Sequence, residues 1–237
     1  MDNFLTLLGP EVDDPDEETF LLFSRDIPSQ NLGFVDARAT KLELTVAGRD
    51  YVIHQSPTVL SSNRAGGTTG AVLWKITPMF AEWFTSPNNP LWKTAILTSN
   101  SAVLELGCGI SGLTGLALAP SISKYVLSDQ SYVSKFVESN LAENASRGSS
   151  TGSRRKGKNA SAAPKTDLGF TPLDWELDEV TSDLTGSDSV KSFDVVIACD
   201  CIYNDALIQP LVQTCVDVCR LRESDTDGQT QPAVCIV

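Results

Sequence analysis

The chain has 237 residues, of which 41% are hydrophobic and 20% charged, and its formal net charge is −12. This length allows one large globular domain with a sizeable core, and no run approaches the ~18 consecutive apolar residues of a membrane span. The acidic balance argues against direct nucleic-acid binding and favours a basic partner or simple solubility. The acidic start argues against a basic leader peptide and indicates an intracellular, cytoplasmic protein.

The first sixty residues predict an N-terminal extension that ends in a β-hairpin. Apolar and polar residues alternate over 41–55 on both sides of a turn at Gly48, a pattern typical of paired antiparallel strands. We expect residues 1–60 to pack on a main domain that occupies 61–237.

A glycine-rich loop, residues 61–74, follows the hairpin and leads into an aromatic-rich segment. Thr77 and Pro78 predict the cap and the first turn of a helix over 79–84. A loop that enters a helix at an aromatic residue is a place where ligands bind, so this segment is a candidate wall of a site.

From residue 101 onward, strand-like and helix-like segments alternate. The predicted strands are 102–107, 125–129, 170–174, 193–200 and 233–237, and the predicted helices are 112–119, 131–144 and 205–222. Such alternation predicts a doubly wound, mostly parallel α/β sheet of the Rossmann-like type, with helices on both faces. The last predicted strand ends the chain where a helix and further strands normally follow, so we expect a truncated sequence.

Residues 145–166 interrupt this alternation with a low-complexity segment. It holds six basic residues and no acid, so the rest of the chain carries 12 basic against 30 acidic residues. Its apolar content is too low to form a core, and we predict a disordered loop with no part in the chemistry.

Metal chemistry has little support in the sequence. The six cysteines form no C-x-x-C pair and the chain has one histidine, His54. We therefore expect no metal site and interpret the cysteines as reduced, buried thiols. His54 lies in the second strand of the predicted hairpin, where an ordinary strand residue is the simpler interpretation than a catalytic one.

The stretch VLELGCGISG, residues 103–112, ends a predicted strand in three glycines spaced G-x-G-x-x-G. Such a loop between a strand and a helix usually receives an adenosine-bearing ligand. In a parallel sheet, ligands bind at the carboxyl ends of the strands. Acids lie at or near the ends of the first four strands of the main domain: Glu105, Asp129, Asp174 and Asp200.

The charge of these acids indicates which adenosine-bearing ligand can bind at the carboxyl ends of the strands. A nicotinamide dinucleotide would place two phosphates among carboxylates, whereas S-adenosylmethionine carries a sulfonium and an ammonium but no phosphate. Opposite charges about 4 Å apart attract by roughly 4 kcal/mol before desolvation is subtracted. We therefore expect Glu105 to attract the ammonium, while Gly107 and Gly109 let the backbone approach the ligand. Asp129 lies 22 residues beyond Gly107, the spacing at which an acid reaches ribose hydroxyls. The alternative for Glu105 is that it caps backbone donors of its own loop.

Five segments taken together resemble a known family: GAVLWKITPMFAEWF, VLELGCGISGL, SDQSY, LDWE and ACDCIYN. They are similar to the seven-β-strand lysine methyltransferases of the methyltransferase family sixteen group, and most similar to its fungal ribosomal lysine N-methyltransferase five branch. The resemblance covers 41–237 apart from the basic insertion. It implies a seven-strand Rossmann-like sheet, protein-lysine methyltransferase activity and S-adenosylmethionine as cofactor. Two features depart from the family: Pro78 interrupts a segment that is usually a continuous helix, and the chain ends before the final strands.

The resemblance also implies roles for individual residues. Those at family positions that contact S-adenosylmethionine are Trp74, Gly107, Gly109, Asp129, Trp175 and Cys199. Among them, Asp129 lies at the ribose and Trp175 near the adenine. Asp200 and Tyr203 match the family's D-x-x-Y at the methyl-transfer site. Ordinary packing is the alternative for both tryptophans and for Tyr203, and Cys199 is expected to act only through its backbone.

The predicted function is transfer of a methyl group to a lysine side chain of a basic protein, and the acidic body suits a ribosomal protein. Asp200 can bind and orient the lysine ammonium, and Tyr203 can stack on it or hydrogen-bond it. Two other hypotheses are a nicotinamide-dinucleotide oxidoreductase and a non-catalytic binding protein that retains the fold. We expect a monomer that binds no membrane.

Overall fold

The computed structural model of the protein describes residues 1–26, 32–63, 67–148, 167–224 and 232–237. The strands are β1 (Lys41–Val46), β2 (Arg49–His54), β3 (Ala102–Leu106), β4 (Lys124–Ser128), β5 (Asp167–Phe170), β6 (Val195–Ile197) and β7 (Val234–Ile236). The α-helices are α1 (Asp2–Leu8), α2 (Pro15–Phe23), α3 (Pro57–Leu60), α4 (Ile76–Thr85), α5 (Pro90–Lys93), α6 (Leu113–Leu118), α7 (Ser134–Gly148) and α8 (Asp205–Ser224).

The main domain is built on a parallel sheet of five strands in the order β5-β4-β3-β6-β7. The chain builds outward from β3 to β5 on one side and then returns to place β6 and β7 on the other side. The strand order therefore reverses beside β3, which opens a crevice at the carboxyl ends of β3 and β6. The predicted doubly wound α/β sheet is confirmed.

Both faces of the sheet are covered, which explains why β3 is buried along its whole length. Val103 packs into the cluster formed with α4, α6 and α7, whereas Leu104 and Leu106 pack on the other face against α8. A strand covered on both faces reads as a nearly continuous apolar run. Each of these side chains contributes about 1.5–3 kcal/mol through burial.

The predicted β-hairpin is confirmed as β1 paired antiparallel with β2. Its turn has positive φ at both central residues, 49° at Ala47 and 73° at Gly48. This is the backbone of a type I′ turn, whose twist matches that of the flanking strands.

Two asparagines on α7 hold the free edge of β2. The Asn140 side chain accepts from His54 N at 2.7 Å and donates to His54 O at 2.9 Å and to Ile110 O at 2.8 Å. The Asn144 side chain accepts from Val52 N at 2.9 Å and donates to Val52 O at 2.8 Å. The two side-chain amides thus satisfy edge groups that would otherwise be open to another strand. His54 takes part through its backbone, as expected of a strand residue.

The helix after the glycine-rich loop begins earlier than predicted. It starts at Ile76 with Lys75 at the cap position and no side-chain cap bond, so the prediction of Thr77 as the cap is wrong. Pro78 does not interrupt the helix. It occupies the first turn, where its missing N–H would have no intrahelical acceptor.

The fifth strand lies three residues earlier than predicted, at 167–170 rather than 170–174. The predicted residues still follow β4, because Thr171 N donates to Leu127 O and Leu173 N donates to Asp129 O, both at 2.9 Å. The segment after β5 therefore runs alongside the carboxyl end of β4, where Asp129 begins the next loop.

Helix α7 continues to Gly148, so the predicted start of the insertion at residue 145 is wrong. The rest of that prediction, from 149 to 166, lies outside the described residues. No helix among the residues that the structure describes is long and apolar enough to cross a membrane. The division of the chain at residue 60 stays a prediction.

Replacing Asn140 with alanine should lower the free energy of unfolding by about 2–4 kcal/mol, because three backbone groups lose their partner at a fully buried side chain. Urea unfolding followed by circular dichroism measures the change. Asn100→Ala, at an exposed position, is the matched control and should shift the value by less than about 0.5 kcal/mol. An Asn140 effect as small as that of the control would contradict the anchoring role.

Candidate functional site

A cavity of about 270 Å³ opens at the carboxyl ends of β3, β4 and β6, at the point where the strand order reverses. This is the position at which open α/β sheets bind their ligands. Eight of the nine predicted site residues line it: Trp74, Gly107, Gly109, Asp129, Trp175, Cys199, Asp200 and Tyr203.

The glycines of the loop after β3 are required by both conformation and space. Gly107 and Gly109 have φ of 68° and 59°, in the left-handed region that favours glycine. A Cβ on Gly107 would lie 2.7 Å from Cys201 Sγ, and one on Gly109 would lie 3.1 Å from Gly70 O. A side chain at either position would therefore push the cavity wall apart.

The amide groups of this loop are already used by the protein. The N–H groups of residues 108, 109 and 110 donate to Ser128 O at 3.1 Å, to Asp129 Oδ2 at 2.9 Å and to Gly70 O at 2.8 Å. In dinucleotide-binding folds, free amides at this place hold the pyrophosphate. The loop here is thus shaped by its neighbours and offers these three donors to no ligand.

Asp129 connects the loop to the end of β4. Its carboxylate accepts from Gly109 N at 2.9 Å and from Gln130 N at 2.7 Å. Burial raises the pKa of Asp129 to about 6, although both amide hydrogen bonds favour the ionised form. The two carboxylate oxygens accept one amide hydrogen bond each and retain acceptor capacity toward the cavity.

Glu105 is the predicted site residue that does not line the cavity. It lies behind the loop, 3% exposed, and its carboxylate accepts a hydrogen bond from Tyr125 Oη at 2.7 Å. Burial raises its pKa to about 7, and the Tyr125 hydroxyl opposes that rise. In this geometry Glu105 stabilises the wall behind the glycines, and its action on a ligand ammonium stays a prediction.

Two tryptophans form apolar walls. Trp74 packs on the Phe34 ring with centroids 4.4 Å apart and donates from Nε1 to Thr69 O at 3.1 Å. The Trp175 ring lies against Gly107, 3.3 Å from the position of an added Cβ. Its Nε1 is buried and has no hydrogen-bond partner in the described part of the chain. Such an orphaned donor beside a cavity marks a place for a ligand acceptor.

Asp200 follows β6 with φ of 58°, an uncommon conformation for a residue other than glycine. Asp200 lines the cavity, and partial burial raises the pKa of its carboxyl. Tyr203 follows in the same segment, 59% exposed, and its Oη accepts from Thr69 Oγ1 at 3.0 Å. The two residues of D-x-x-Y therefore line one cavity from one irregular segment.

Cys199 lies between β6 and Asp200 and is half-buried. Burial raises its pKa to about 12, with the nearby Glu105 and Asp200 carboxylates adding to the effect. A thiol in this environment is protonated at neutral pH and is not a nucleophile.

Sequence reasoning missed several residues that complete the walls. They are Thr69, Gly70, Gln130, Tyr132, Leu173 and Cys201. The glycine-rich loop at 61–74 was a sufficient signal for the first two, because it was expected to border a ligand. Nothing in the sequence distinguished Gln130, whose Oε1 is buried without a partner in the described part of the chain.

The cavity carries a negative charge. Three carboxylates line it, those of Asp129, Asp174 and Asp200, and no lysine or arginine among residues with a described side chain does so. A cationic group is attracted to such a cavity, whereas a diphosphate is repelled.

Fold and site together define the class of protein. The protein has a parallel sheet with a glycine loop after its central strand and an acid after the next strand, and its cavity lies where the strand order reverses. It is therefore a Rossmann-like α/β protein. Within that class, the chain belongs to the lysine methyltransferase family, whose sequence model matches residues 54–225.

Two curated relatives of the chain come from yeasts. A Schizosaccharomyces pombe protein named diaminohydroxyphosphoribosylamino-pyrimidine deaminase is 33% identical over 202 residues, 85% of this chain and 43% of that protein. Ribosomal lysine N-methyltransferase 5 of Zygosaccharomyces rouxii is 32% identical over 191 residues, 70% of this chain and 59% of that protein. The chain thus spans about half the length of these two relatives.

Among solved structures, the chain is similar to the tRNA (uracil-54, C5)-methyltransferase of Pyrococcus abyssi in complex with S-adenosyl-L-homocysteine. The identity is 18%, the TM-score is 0.32, and the match covers 67% of this chain and 28% of that one. Similarity at this level assigns no role to any residue.

The buried carboxyl of Glu105 should make stability depend on pH. Its folded pKa of about 7 lies above the ordinary value of 4.5, so the folded state holds the proton more tightly. The stability this provides is complete at low pH and is lost as the pH rises through about 7. Between pH 5.5 and 8, the free energy of unfolding should fall by about 2 kcal/mol more in the wild type than in Glu105→Gln. Urea unfolding of both proteins at the two pH values tests this, and parallel profiles would contradict it.

Proposed function

We propose that this protein transfers a methyl group from S-adenosylmethionine to a lysine side chain of a basic protein, and that the substrate is a ribosomal protein. The observation that carries the proposal is the charge of the cavity. In a chain of the lysine methyltransferase family, a cavity lined by three carboxylates and no described cation suits a ligand with a sulfonium and a substrate with an ammonium.

The residues present fit the cofactor. At Gly107 the loop lines the cavity with backbone alone, because a Cβ there would lie 2.7 Å from Cys201 Sγ. Asp129 retains acceptor capacity for ribose hydroxyls. The unpartnered atoms Trp175 Nε1 and Gln130 Oε1 offer a donor and an acceptor at the same cavity. We assign Trp74, Gly107, Gly109, Asp129, Trp175 and the backbone of Cys199 to cofactor binding, with Glu105 supporting the loop from behind.

A nicotinamide dinucleotide fits less well, for two physical reasons. The amides of residues 108–110, which would hold a pyrophosphate, already donate to protein acceptors. The carboxylates around the cavity also repel phosphates. A phosphate-free, cationic adenosine ligand therefore fits the cavity better than a dinucleotide does.

The acceptor side of the reaction requires a neutral amine. A free lysine has a pKa of about 10.4, so neutralising it at pH 7 costs roughly 4–5 kcal/mol, which the site must supply through desolvation or proton removal. S-adenosylmethionine, when bound, supplies an electrophilic methyl group on a sulfonium. The chain's own contribution is to bind the lysine, orient its nitrogen and exclude water around it.

Asp200 is the residue we assign to orienting the lysine. It lines the cavity, and no described cation pairs with it. The left-handed backbone at this position, with φ of 58°, costs energy that packing elsewhere must offset, as is common at functional sites. A lysine ammonium about 4 Å from the carboxylate would gain roughly 4 kcal/mol of attraction before desolvation.

Two observations support a basic ribosomal protein as the substrate: the net charge of the chain and the name of a relative. The chain has a formal net charge of −12, which suits association with a basic protein. The Zygosaccharomyces rouxii relative is named a ribosomal lysine N-methyltransferase. The family match begins at residue 54, close to residue 60, where we propose that the N-terminal extension ends and the methyltransferase domain begins.

Asp129→Ala should weaken binding of S-adenosylmethionine by about 1–3 kcal/mol, because the ribose hydroxyls lose a charged acceptor. Isothermal calorimetry with S-adenosylmethionine, and separately with NAD, measures the effect and tests the rival ligand. Asp188→Ala removes an exposed carboxylate that does not line the cavity and is the control. Equal affinities of wild type and Asp129→Ala, or tighter binding of NAD, would refute the cofactor assignment.

Asp200→Asn keeps the size of the side chain and removes its charge. We expect affinity for S-adenosylmethionine within a few-fold of wild type and methyl transfer reduced by ~100-fold or more, as loss of a positioned catalytic group typically causes. Calorimetry and single-turnover transfer of a labelled methyl group to a basic ribosomal protein fraction give the two values. Wild-type turnover would make Asp200 a strand-end residue only, and loss of cofactor binding would place it in the cofactor site.

A further inference from the structure

Three distant segments meet at Thr69 and Gly70. Thr69 Oγ1 donates to Tyr203 Oη at 3.0 Å, across 134 residues of sequence. Thr69 O accepts from Trp74 Nε1 at 3.1 Å. Gly70 O accepts from Ile110 N at 2.8 Å. The short stretch at 69–70 is therefore fixed by its backbone to the glycine loop and to a cavity wall, and its one side chain reaches the D-x-x-Y segment.

The contact with Thr69 can fix the orientation of Tyr203. Its side chain is 59% exposed, and the Thr69 hydroxyl is its hydrogen-bond partner in the described part of the chain. An exposed side chain without a partner changes rotamer on the picosecond to nanosecond scale. A hydrogen bond to a segment that is itself held by backbone contacts favours one rotamer.

We propose that Thr69 is a positioning residue for methyl transfer, whose hydroxyl holds Tyr203 in one orientation at the wall of the cavity. This inference rests on the proposed function. Because Thr69 donates the proton, Tyr203 Oη keeps its own proton and a second lone pair for the substrate. The same segment contacts the glycine loop through Gly70, so the cofactor side and the acceptor side of the cavity share one support.

The test uses two variants of nearly equal shape. Thr69→Val removes the hydroxyl and keeps the branched side chain, while Thr69→Ser keeps the hydroxyl. Single-turnover methylation of a basic ribosomal protein fraction at saturating cofactor should slow about three- to tenfold in Thr69→Val, the effect of one lost hydrogen bond. The serine variant should stay within about twofold, and both should bind S-adenosylhomocysteine within about threefold of wild type by calorimetry.

A double-mutant comparison separates positioning from a general structural role. In a Tyr203→Phe background the acceptor oxygen is absent, so adding Thr69→Val should slow turnover no further. If the two effects multiply, or if Thr69→Ser is as slow as Thr69→Val, Thr69 does not act through Tyr203 and the inference is overturned.

A spectroscopic measurement tests the contact between Thr69 and Tyr203 independently of turnover. The chain has four tyrosines, so protein labelled with 3-fluorotyrosine gives few fluorine resonances, and the signal that Tyr203→Phe removes belongs to Tyr203. Thr69→Val should shift that signal toward the averaged position of a mobile ring, and Thr69→Ser should not. An unchanged signal in Thr69→Val overturns the inference. If wild type methylates no protein, the proposed function fails while this signal still decides whether Thr69 holds Tyr203.

Discussion

The hydrogen bond from Ile110 N to Gly70 O brings two loops into direct contact, the one after the hairpin and the one after β3. The two loops approach closely at their glycines, since a Cβ on Gly70 would lie 3.3 Å from Gly109 Cα and one on Gly109 would lie 3.1 Å from Gly70 O. The approach places Thr69 and Trp74 at the cavity.

Electrostatics then decide what the cavity can hold. The chain belongs to the lysine methyltransferase family, and the carboxylates that line the cavity suit the cationic ligands that we propose for it. The Asp129 carboxylate accepts a hydrogen bond from the glycine loop and also lines the cavity. The Glu105 carboxylate accepts a hydrogen bond from Tyr125 behind the loop. Asp129 therefore lines the cavity, whereas Glu105 is buried within β3 and lies outside the cavity lining.

Much of the fold could be predicted from the sequence because its signals are local. The buried run of β3, the alternation of the hairpin and the glycines after β3 specify elements within a few residues. Boundaries were less accurate where non-local pairing decides them: β5 begins at Asp167 because it pairs with β4 from Lys124 onward. The start of α4 was missed because no side chain caps it.

The sequence by itself determined the order of strands and helices, the glycine loop and the acids at the strand ends, since these depend on neighbours in the chain. Only the tertiary structure decided which distant residues meet: Thr69 with Tyr203 across 134 residues, and Asn140 with His54 across 86. It also decided that Glu105 faces Tyr125 and lies outside the cavity lining. Such contacts depend on strand order and on the packing of helices on each face, and no local pattern in the chain encodes those distances.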